Sequence, residues 1–237
     1  MSEQPRVPAA PSPNPHGGEF ASKFASKSNP HQERAKSYND AKTVHMDALN
    51  NMVPLTSEQK QAVKDYASTG GFYNALANKL RGTSIRSNWR GAPPKPEAVD
   101  AAIKHLDDAI AKQKPSTKET VLYRGISLDD MGYEGRDGQE VRVRFAKEVG
   151  TIKDNSYTSM TTDKVIAEGF GTQGANYATL RIRIPKGTRT LPIAGGGNHS
   201  GEQFEEREML LPRQSKIRII SVGEGDDEGW IDAELVP

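Results

Sequence analysis

The sequence predicts an α+β fold, because helical patterns occupy the first part of the chain and strand patterns follow them. Up to Ile110, apolar residues recur at the i, i+3 and i+4 spacing of amphipathic helices. Beyond Lys114-Pro115 the chain changes to short β-rich segments, of which NYATLRIRIP alternates most clearly. We therefore expect N-terminal helices packed on a mixed, mainly antiparallel sheet.

Three helical segments are predicted before the strands begin. In PLTSEQKQAVKDYA, Thr56 and Gln59 have the spacing of a capping box, in which each side chain accepts a hydrogen bond from the other residue's backbone N–H. FYNALANKLRG is a second short helix that ends at Gly82. The third helix carries an apolar stripe made of Val99, Ala102, Ile103, Leu106 and Ile110.

Seven strand-like segments follow, and one short helix, DKVIAEGF, lies after the second of them. Each strand is short and rich in β-branched or alternating apolar residues, which is the pattern of a half-buried strand. In chain order they are TVLYRGI, SYTSMTT, NYATLRIRIP, RTLPIA, REMLLP, KIRIISV and WIDAELV.

Residues 1–45 read as a polar tail, rich in Pro, Ser, Asn and Lys, that is expected to be disordered because it cannot bury enough apolar surface. The tail is also a candidate delivery or packaging signal, and the catalytic domain is expected over residues 46–237. No apolar run reaches the length of a membrane span, and the N-terminus shows no apolar core of a secretory signal.

Composition excludes several classes of function. The net charge of +1, from 32 basic and 31 acidic residues, gives no global field for nucleic acid or a membrane surface, although a local patch could still bind nucleic acid. The absence of cysteine excludes thiolate metal sites and cysteine nucleophiles, and the five scattered histidines suggest no metal site. GFGTQG follows a helix where a dinucleotide fingerprint needs a strand, so it is read as a turn.

Two carboxylates are the chemically most informative residues. If EREMLLP is a strand, Glu206, Glu208 and Leu210 share one face, with the carboxylates about 7 Å apart. Alone, such a pair is most often a solvated strand edge. Two other residues favour a functional site over a solvated edge. Arg124 could hold phosphates through its planar fork, and Ser159 could orient a carboxylate.

These motifs together resemble the mono-ADP-ribosyltransferases of the Arg-Ser-Glu class, especially the bacterial exotoxin type found in the enzymatic components of clostridial binary toxins. The resemblance covers residues 55 to 237 and rests on five motifs in the family's order. They are the leading helices LTSEQKQAVKDYASTGGFYNALANKLRG, then VLYRGI, YTSMTTDKVIAEGF, TLRIRIPKGT and FEEREMLLPRQSKIRI. It implies the ADP-ribosyltransferase fold, with the helices packed on a β core of two sheets.

The resemblance also implies roles for individual residues, with NAD as co-substrate and no metal. Arg124 would bind the NAD phosphates, and Gly125 would approach the nicotinamide amide. Ser159 would hold Glu208, which would bond the hydroxyls of the nicotinamide ribose and favour departure of nicotinamide. Glu206 would orient or deprotonate the incoming nucleophile.

Four further residues match family positions. Phe204 would lie in the target-recognition loop. Tyr66, Arg81 and Arg181 would lie near the adenosine and phosphates of NAD. The alternative readings are core or surface aromatics for Tyr66 and Phe204, a structural ion pair for Arg124 and an ordinary strand hydroxyl for Ser159.

The function that the resemblance implies is a monomeric NAD-dependent mono-ADP-ribosyltransferase that modifies arginine side chains of a target protein and releases nicotinamide. A glutamate two residues before Glu208 goes with arginine as the acceptor in this family. The setting would be a toxin, an effector injected into a host cell, or a phage-encoded enzyme that acts in the host cytoplasm. The alternatives are an NAD glycohydrolase and a catalytically weak interaction or structural protein of the same fold.

Overall fold

The computed structural model describes residues 30–67, 71–83, 94–171, 176–193, 206–225 and 228–236. Within these ranges the helices are α1 (Pro30–Asn50), α2 (Ser57–Tyr66), α3 (Phe72–Arg81), α4 (Pro96–Ala111), α5 (Gly138–Val149) and α6 (Lys164–Gly171), with a 3₁₀ turn at Asp129–Met131. None of these helices combines the length and the apolar character that crossing a membrane requires.

The described strands form one eight-stranded sheet. They are β1 (Thr120–Ser127), β2 (Thr151–Lys153), β3 (Thr158–Thr161), β4 (Tyr177–Ile184), β5 (Leu191–Pro192), β6 (Glu208–Leu211), β7 (Lys216–Val222) and β8 (Trp230–Val236). The spatial order is β2-β7-β8-β4-β1-β3-β6-β5. Among the described strands β4 and β8 pair in parallel and the other neighbours are antiparallel. The α+β class and the mixed, mainly antiparallel sheet are thus confirmed.

The expected division into two sheets is wrong, because β1 pairs with β4 on one side and with β3 on the other. The two junctions are unequal, since β1 and β4 pair over eight residue pairs whereas β1 and β3 share only Tyr123↔Thr161. Continuing that antiparallel register would bring Gly125 opposite Ser159, but no pairing extends that far. The sheet is therefore continuous and has its shortest pairing between β1 and β3.

Strand β6 joins two hydrophobic cores. Leu210 packs with residues of helices α2 to α4, including Tyr66 and Leu106. Met209 and Leu211 pack in the second core, which also contains Phe145 of α5. The alternation that the sequence predicts over these positions is confirmed, because neighbours along β6 enter different cores.

The capping box predicted at the start of α2 is confirmed. The Thr56 hydroxyl accepts a hydrogen bond from the Gln59 backbone N–H at 3.3 Å, and the Gln59 side-chain oxygen accepts one from the Thr56 N–H at 3.1 Å. Two of the backbone donors at this helix end are thereby satisfied.

Helix α1 begins inside the segment that composition assigns to a disordered tail, and the expected boundary at residue 45 falls within this helix. Ala41 and His45 are buried, and Ala48 packs against the second core. The Thr162 hydroxyl donates a hydrogen bond to the Ala41 carbonyl at 2.9 Å. A few buried side chains are enough to pack this polar helix against the rest of the fold. An argument from overall composition does not detect so few contacts. Residues 1–29 lie outside the described residues.

Helix α5 and strand β2 are two elements that the sequence analysis did not assign. Asp137 begins α5, with its Oδ1 accepting from the N–H groups of Gln139 at 2.8 Å and Glu140 at 3.1 Å. Val141 and Phe145 are buried one turn apart. The Asp N-cap and this i, i+4 pair are the signals that could have identified the helix.

Candidate active site

A cleft of about 510 Å³ opens beside the short β1–β3 junction. Helices α2, α3 and α6, strands β1, β3 and β6, and the segment before β6 all contribute to its lining. Six of the residues singled out from the sequence line it together: Tyr66, Arg124, Gly125, Ser159, Glu206 and Glu208. Residues up to 142 positions apart in the chain, Tyr66 and Glu208, thus meet in one cavity.

Arg124 and Ser159 are joined where the β1–β3 ladder stops. The Arg124 Nη1 donates to the Ser159 backbone carbonyl at 2.7 Å. This side-chain bond engages a strand carbonyl just beyond the last β1–β3 pair, Tyr123↔Thr161. It fixes one edge of the guanidinium, which has five N–H donors in a planar fork, in the wall of the cleft.

Glu208 is the first residue of β6 and is only 8% exposed. It pairs with Thr161 of β3, and its carbonyl accepts a hydrogen bond from the Ile193 N–H at 2.9 Å. Burial raises the pKa of Glu208 to about 7, with a further rise from the nearby Glu206 charge. A hydrogen bond with the Ser159 side chain and the positive charge of Arg124 oppose this rise.

Glu206 lines the same cleft, but it does so from the segment before β6 and not from the strand itself. The strand begins only at Glu208, and Arg207 before it has a left-handed backbone with φ of 45°. Arg207 is buried, whereas Glu206 is exposed. The expectation that Glu206 and Glu208 lie on one face of a single strand is therefore wrong, although both carboxylates reach the cleft. Partial desolvation raises the pKa of Glu206.

Tyr66 supplies a buried polar atom in the cleft wall. The residue is 3% exposed, and among the described residues its hydroxyl oxygen has no hydrogen-bond partner. Burial, followed by the Glu208 charge, raises the pKa of this phenol well above its usual value. Its ring contacts that of Tyr73 edge-on, with centroids 5.2 Å apart. A buried hydroxyl of this kind is normally satisfied, so it fits a hydrogen bond to a bound ligand.

The two other predicted arginines, Arg81 and Arg181, form ion pairs and do not line this cleft. The Arg81 Nε donates to Asp154 Oδ1 at 2.9 Å. The Arg181 guanidinium binds Asp232 at 2.6 Å and 3.1 Å and lies 5.9 Å from the Trp230 ring centroid. Phe204 lies outside the described residues.

The lining residues that were not singled out from the sequence include three that add polar or aromatic groups to the cleft. The Tyr73 ring contacts that of Tyr66, Asp130 adds a carboxylate after β1, and Phe170 lies on α6. Phe170 is 48% exposed, which is unusual for so large an apolar ring and suits stacking on a planar ligand. The sequence signal that could have identified Phe170 is its place in the predicted helix DKVIAEGF, which follows the strand that carries Ser159.

The cavity is suited to a polar, partly planar molecule. Its volume is within the range of about 300–1,000 Å³ usual for small-molecule sites. It combines a fixed guanidinium, a hydroxyl, two carboxylates of raised pKa and exposed aromatic surface. Such a set can bind anionic groups, hold sugar hydroxyls and stabilise a developing positive charge.

The family model described as ADP-ribosyltransferase exoenzyme matches residues 34–236. No curated protein sequence matches the chain.

Solved structures of bacterial toxins match most of the chain. Plx2a, an ADP-ribosyltransferase toxin from Paenibacillus larvae, is 21% identical with a TM-score of 0.57, covering 86% of this chain and 97% of that one. The ADP-ribosylating toxin BECa of C. perfringens, crystallised with NADH, is 19% identical with a TM-score of 0.58, covering 85% of this chain and 48% of that one. Vis toxin in complex with agmatine is 21% identical with a TM-score of 0.51, covering 91% and 89%; Vis comes from Vibrio splendidus.

Proposed function

Because the chain belongs to the ADP-ribosyltransferase exoenzyme family, we propose that it transfers ADP-ribose from NAD to arginine side chains of a target protein and releases nicotinamide. The observation that carries the proposal is the meeting of Arg124, Ser159, Glu206 and Glu208 in one cleft. The match to BECa, which was crystallised with NADH, supports a nicotinamide dinucleotide as the substrate.

Three residues are suited to hold NAD. Arg124 presents a guanidinium for the phosphates, since a planar fork matches phosphate oxygens. Gly125 has no side chain and lies where the β1–β3 pairing ends, so a flat amide can approach the backbone. Tyr66 offers the buried hydroxyl that lacks a partner among the described residues.

Glu208 would promote departure of nicotinamide. In its ionised form it accepts hydrogen bonds from the ribose hydroxyls, and these bonds strengthen as positive charge develops on the sugar. The Ser159 hydroxyl and the Arg124 charge support the ionised form of Glu208. The electron pair of the broken glycosidic bond goes to the nicotinamide ring nitrogen, so nicotinamide leaves as a neutral molecule.

Glu206 would serve the acceptor. A guanidinium nitrogen forms the new bond to the ribose carbon, and the proton it loses passes through Glu206 to solvent. Its carboxylate also attracts the guanidinium as an ion-pair partner. The binding of agmatine, a guanidinium compound, by Vis supports arginine as the acceptor type. The setting would be a toxin, an injected effector or a phage-encoded enzyme that acts on a host protein in the host cytoplasm.

The test uses labelled NAD, with agmatine or a host-cell lysate as acceptor. Glu208→Gln should lower both transfer and NAD hydrolysis by a factor on the order of 100 or more, because both need the ribose contact. Glu206→Gln should lower transfer by about 100-fold and hydrolysis by less than about threefold, since water needs no guanidinium site. Glu97→Gln, an exposed glutamate of α4, is the matched control and should change neither activity.

Each outcome discriminates among functions. Label on a lysate protein, or on agmatine, supports the transferase. Free ADP-ribose with no labelled acceptor indicates an NAD glycohydrolase, in which water is the acceptor. If wild-type protein does not turn over NAD at all, the chain is an interaction or structural protein of this fold and the proposal fails.

A further inference from the structure

Arg207 stands between the two cleft glutamates but turns away from them. It is 4% exposed, and its guanidinium forms a buried ion pair with Asp163, in which each side chain is 3% exposed. Its backbone is left-handed, with φ of 45°, a conformation that is strained for any residue with a large side chain. A strained backbone joined to a fully buried ion pair indicates that the surrounding contacts hold this residue in place.

We propose that Arg207 is a positioning residue, and that its ion pair with Asp163 places Glu206 for the acceptor step. This inference rests on the proposed function, because it assigns Arg207 a part in choosing between an arginine acceptor and water. It concerns transfer and leaves NAD cleavage itself to Glu208.

The anchoring comes from the turn that follows β3. The Thr161 hydroxyl donates to the Glu206 carbonyl at 2.7 Å, and the Thr162 N–H donates to the Arg207 carbonyl at 3.2 Å. Asp163 is itself fixed, because its N–H donates to the Thr161 hydroxyl at 3.0 Å and its Oδ1 accepts from the Val165 N–H at the start of α6. The ion pair thus locks the segment before β6 onto a rigid turn.

The two glutamates depend on this lock to different degrees. Glu208 is held by its pairing with Thr161 in the sheet and by the bond from the Ile193 N–H. Glu206 lies outside the strand and is held by the hydrogen bond that its carbonyl accepts from the Thr161 hydroxyl and by its neighbour Arg207. Loss of the ion pair should therefore displace Glu206 more than Glu208.

A purely structural ion pair is the alternative explanation, and two properties distinguish it. A structural role would lower transfer and hydrolysis together, in proportion to the folded protein that remains. A purely conformational role would be filled by glycine, which adopts positive φ without strain. A positioning role requires the charge on residue 207 and changes the ratio of the two activities.

The experiment measures the ratio of agmatine ADP-ribosylation to NAD hydrolysis in one reaction, which does not depend on the folded fraction. In Arg207→Ala we expect the ratio to fall by about tenfold or more, because displacement of a reacting group by ~1 Å can cost 100-fold. The ratio should fall similarly in Arg207→Gly, since glycine relieves the backbone strain without restoring the charge. Arg207→Lys should keep the ratio within about threefold, because the ammonium can still pair with Asp163.

Three results would overturn the inference: an unchanged ratio in Arg207→Ala, a wild-type ratio in Arg207→Gly, or a ratio in Arg207→Lys as low as that of Arg207→Ala. Should Arg207→Ala yield no soluble protein, Arg207→Lys against Arg207→Gly decides the same question. Glu206→Gln separates this inference from the proposed function. If Glu206→Gln lowers the ratio and the Arg207 variants do not, only the positioning role fails. If Glu206→Gln leaves the ratio unchanged, the proposed role of Glu206 fails.

Discussion

Glu208 is subject to opposing influences that together set its charge near neutral pH. Burial and the Glu206 carboxylate favour the protonated form, whereas the Ser159 hydrogen bond and the Arg124 charge favour the ionised form. The result is a pKa of about 7, well above the value of an exposed glutamate. A group with this balance changes its charge within the range of pH in which the proposed reaction would run.

We expect NAD hydrolysis to decline as the pH falls through about 7, since the proposed role of Glu208 requires the carboxylate. The sign follows from the raised pKa, because the protonated form predominates below it. Glu206→Gln should move the midpoint to lower pH by removing a negative neighbour, and Ser159→Ala should move it higher by removing a hydrogen bond to the carboxylate. The measurement is kcat/KM for hydrolysis against pH. Identical midpoints in all three proteins would contradict the assignment of this limb to Glu208.

At the scale of elements, strand β6 shows what local patterns can and cannot predict. The alternation of Met209, Leu210 and Leu211 between two cores was readable from the sequence. The start of the strand at Glu208 was not, because Arg207 before it has a left-handed backbone and its side chain pairs with Asp163, 44 residues earlier in the chain. A single sequence gives no indication that two distant charges will meet in the interior.

The predicted site residues likewise fall into two groups, those placed by local patterns and those whose partners are distant in the chain. Arg124, Ser159 and Glu208 lie in or at the ends of regular strands with clear local patterns, and they meet in the cleft. Arg81 and Arg181 have acidic partners, Asp154 and Asp232, that become neighbours only through the fold. Their roles toward NAD, like that of Phe204, stay predictions.

Helix α2 offers a test of how far a local motif contributes to stability. Thr56→Ala removes the hydroxyl that accepts the Gln59 N–H, so we expect a loss of about 1 kcal/mol in the free energy of unfolding. Ser57→Ala, at the adjacent exposed position in the first turn, is the control and should change stability by less than about 0.5 kcal/mol. Denaturant titration of both variants gives the comparison. Equal effects in the two variants would mean that the capping box contributes nothing measurable.

On the scale of the whole molecule, the cleft lies beside the shortest strand pairing of a continuous sheet. β1 and β3 share one residue pair, and the cleft opens beside it, bridged by the Arg124 side chain. Strand β6 then ties the helical core to the second core, so that both cores support the segment that carries the glutamates. This arrangement leaves room for a ligand between strands without dividing the fold into separate units.

Helix α1 extends this support to a segment that composition alone would assign to a tail. Deleting residues 1–45 removes the Ala41 carbonyl that binds Thr162, next to the Asp163–Arg207 pair. We expect this deletion to lower the thermal midpoint by several degrees, since about 1 kcal/mol corresponds to roughly 2–4 °C in a domain of this size. The deletion should also lower the ratio of agmatine transfer to NAD hydrolysis. Deleting only residues 1–29, which leaves α1 intact, is the control. Equal midpoints and ratios for the two truncated proteins would show that residues 30–45 of α1 contribute nothing to the fold or to the placement of Glu206.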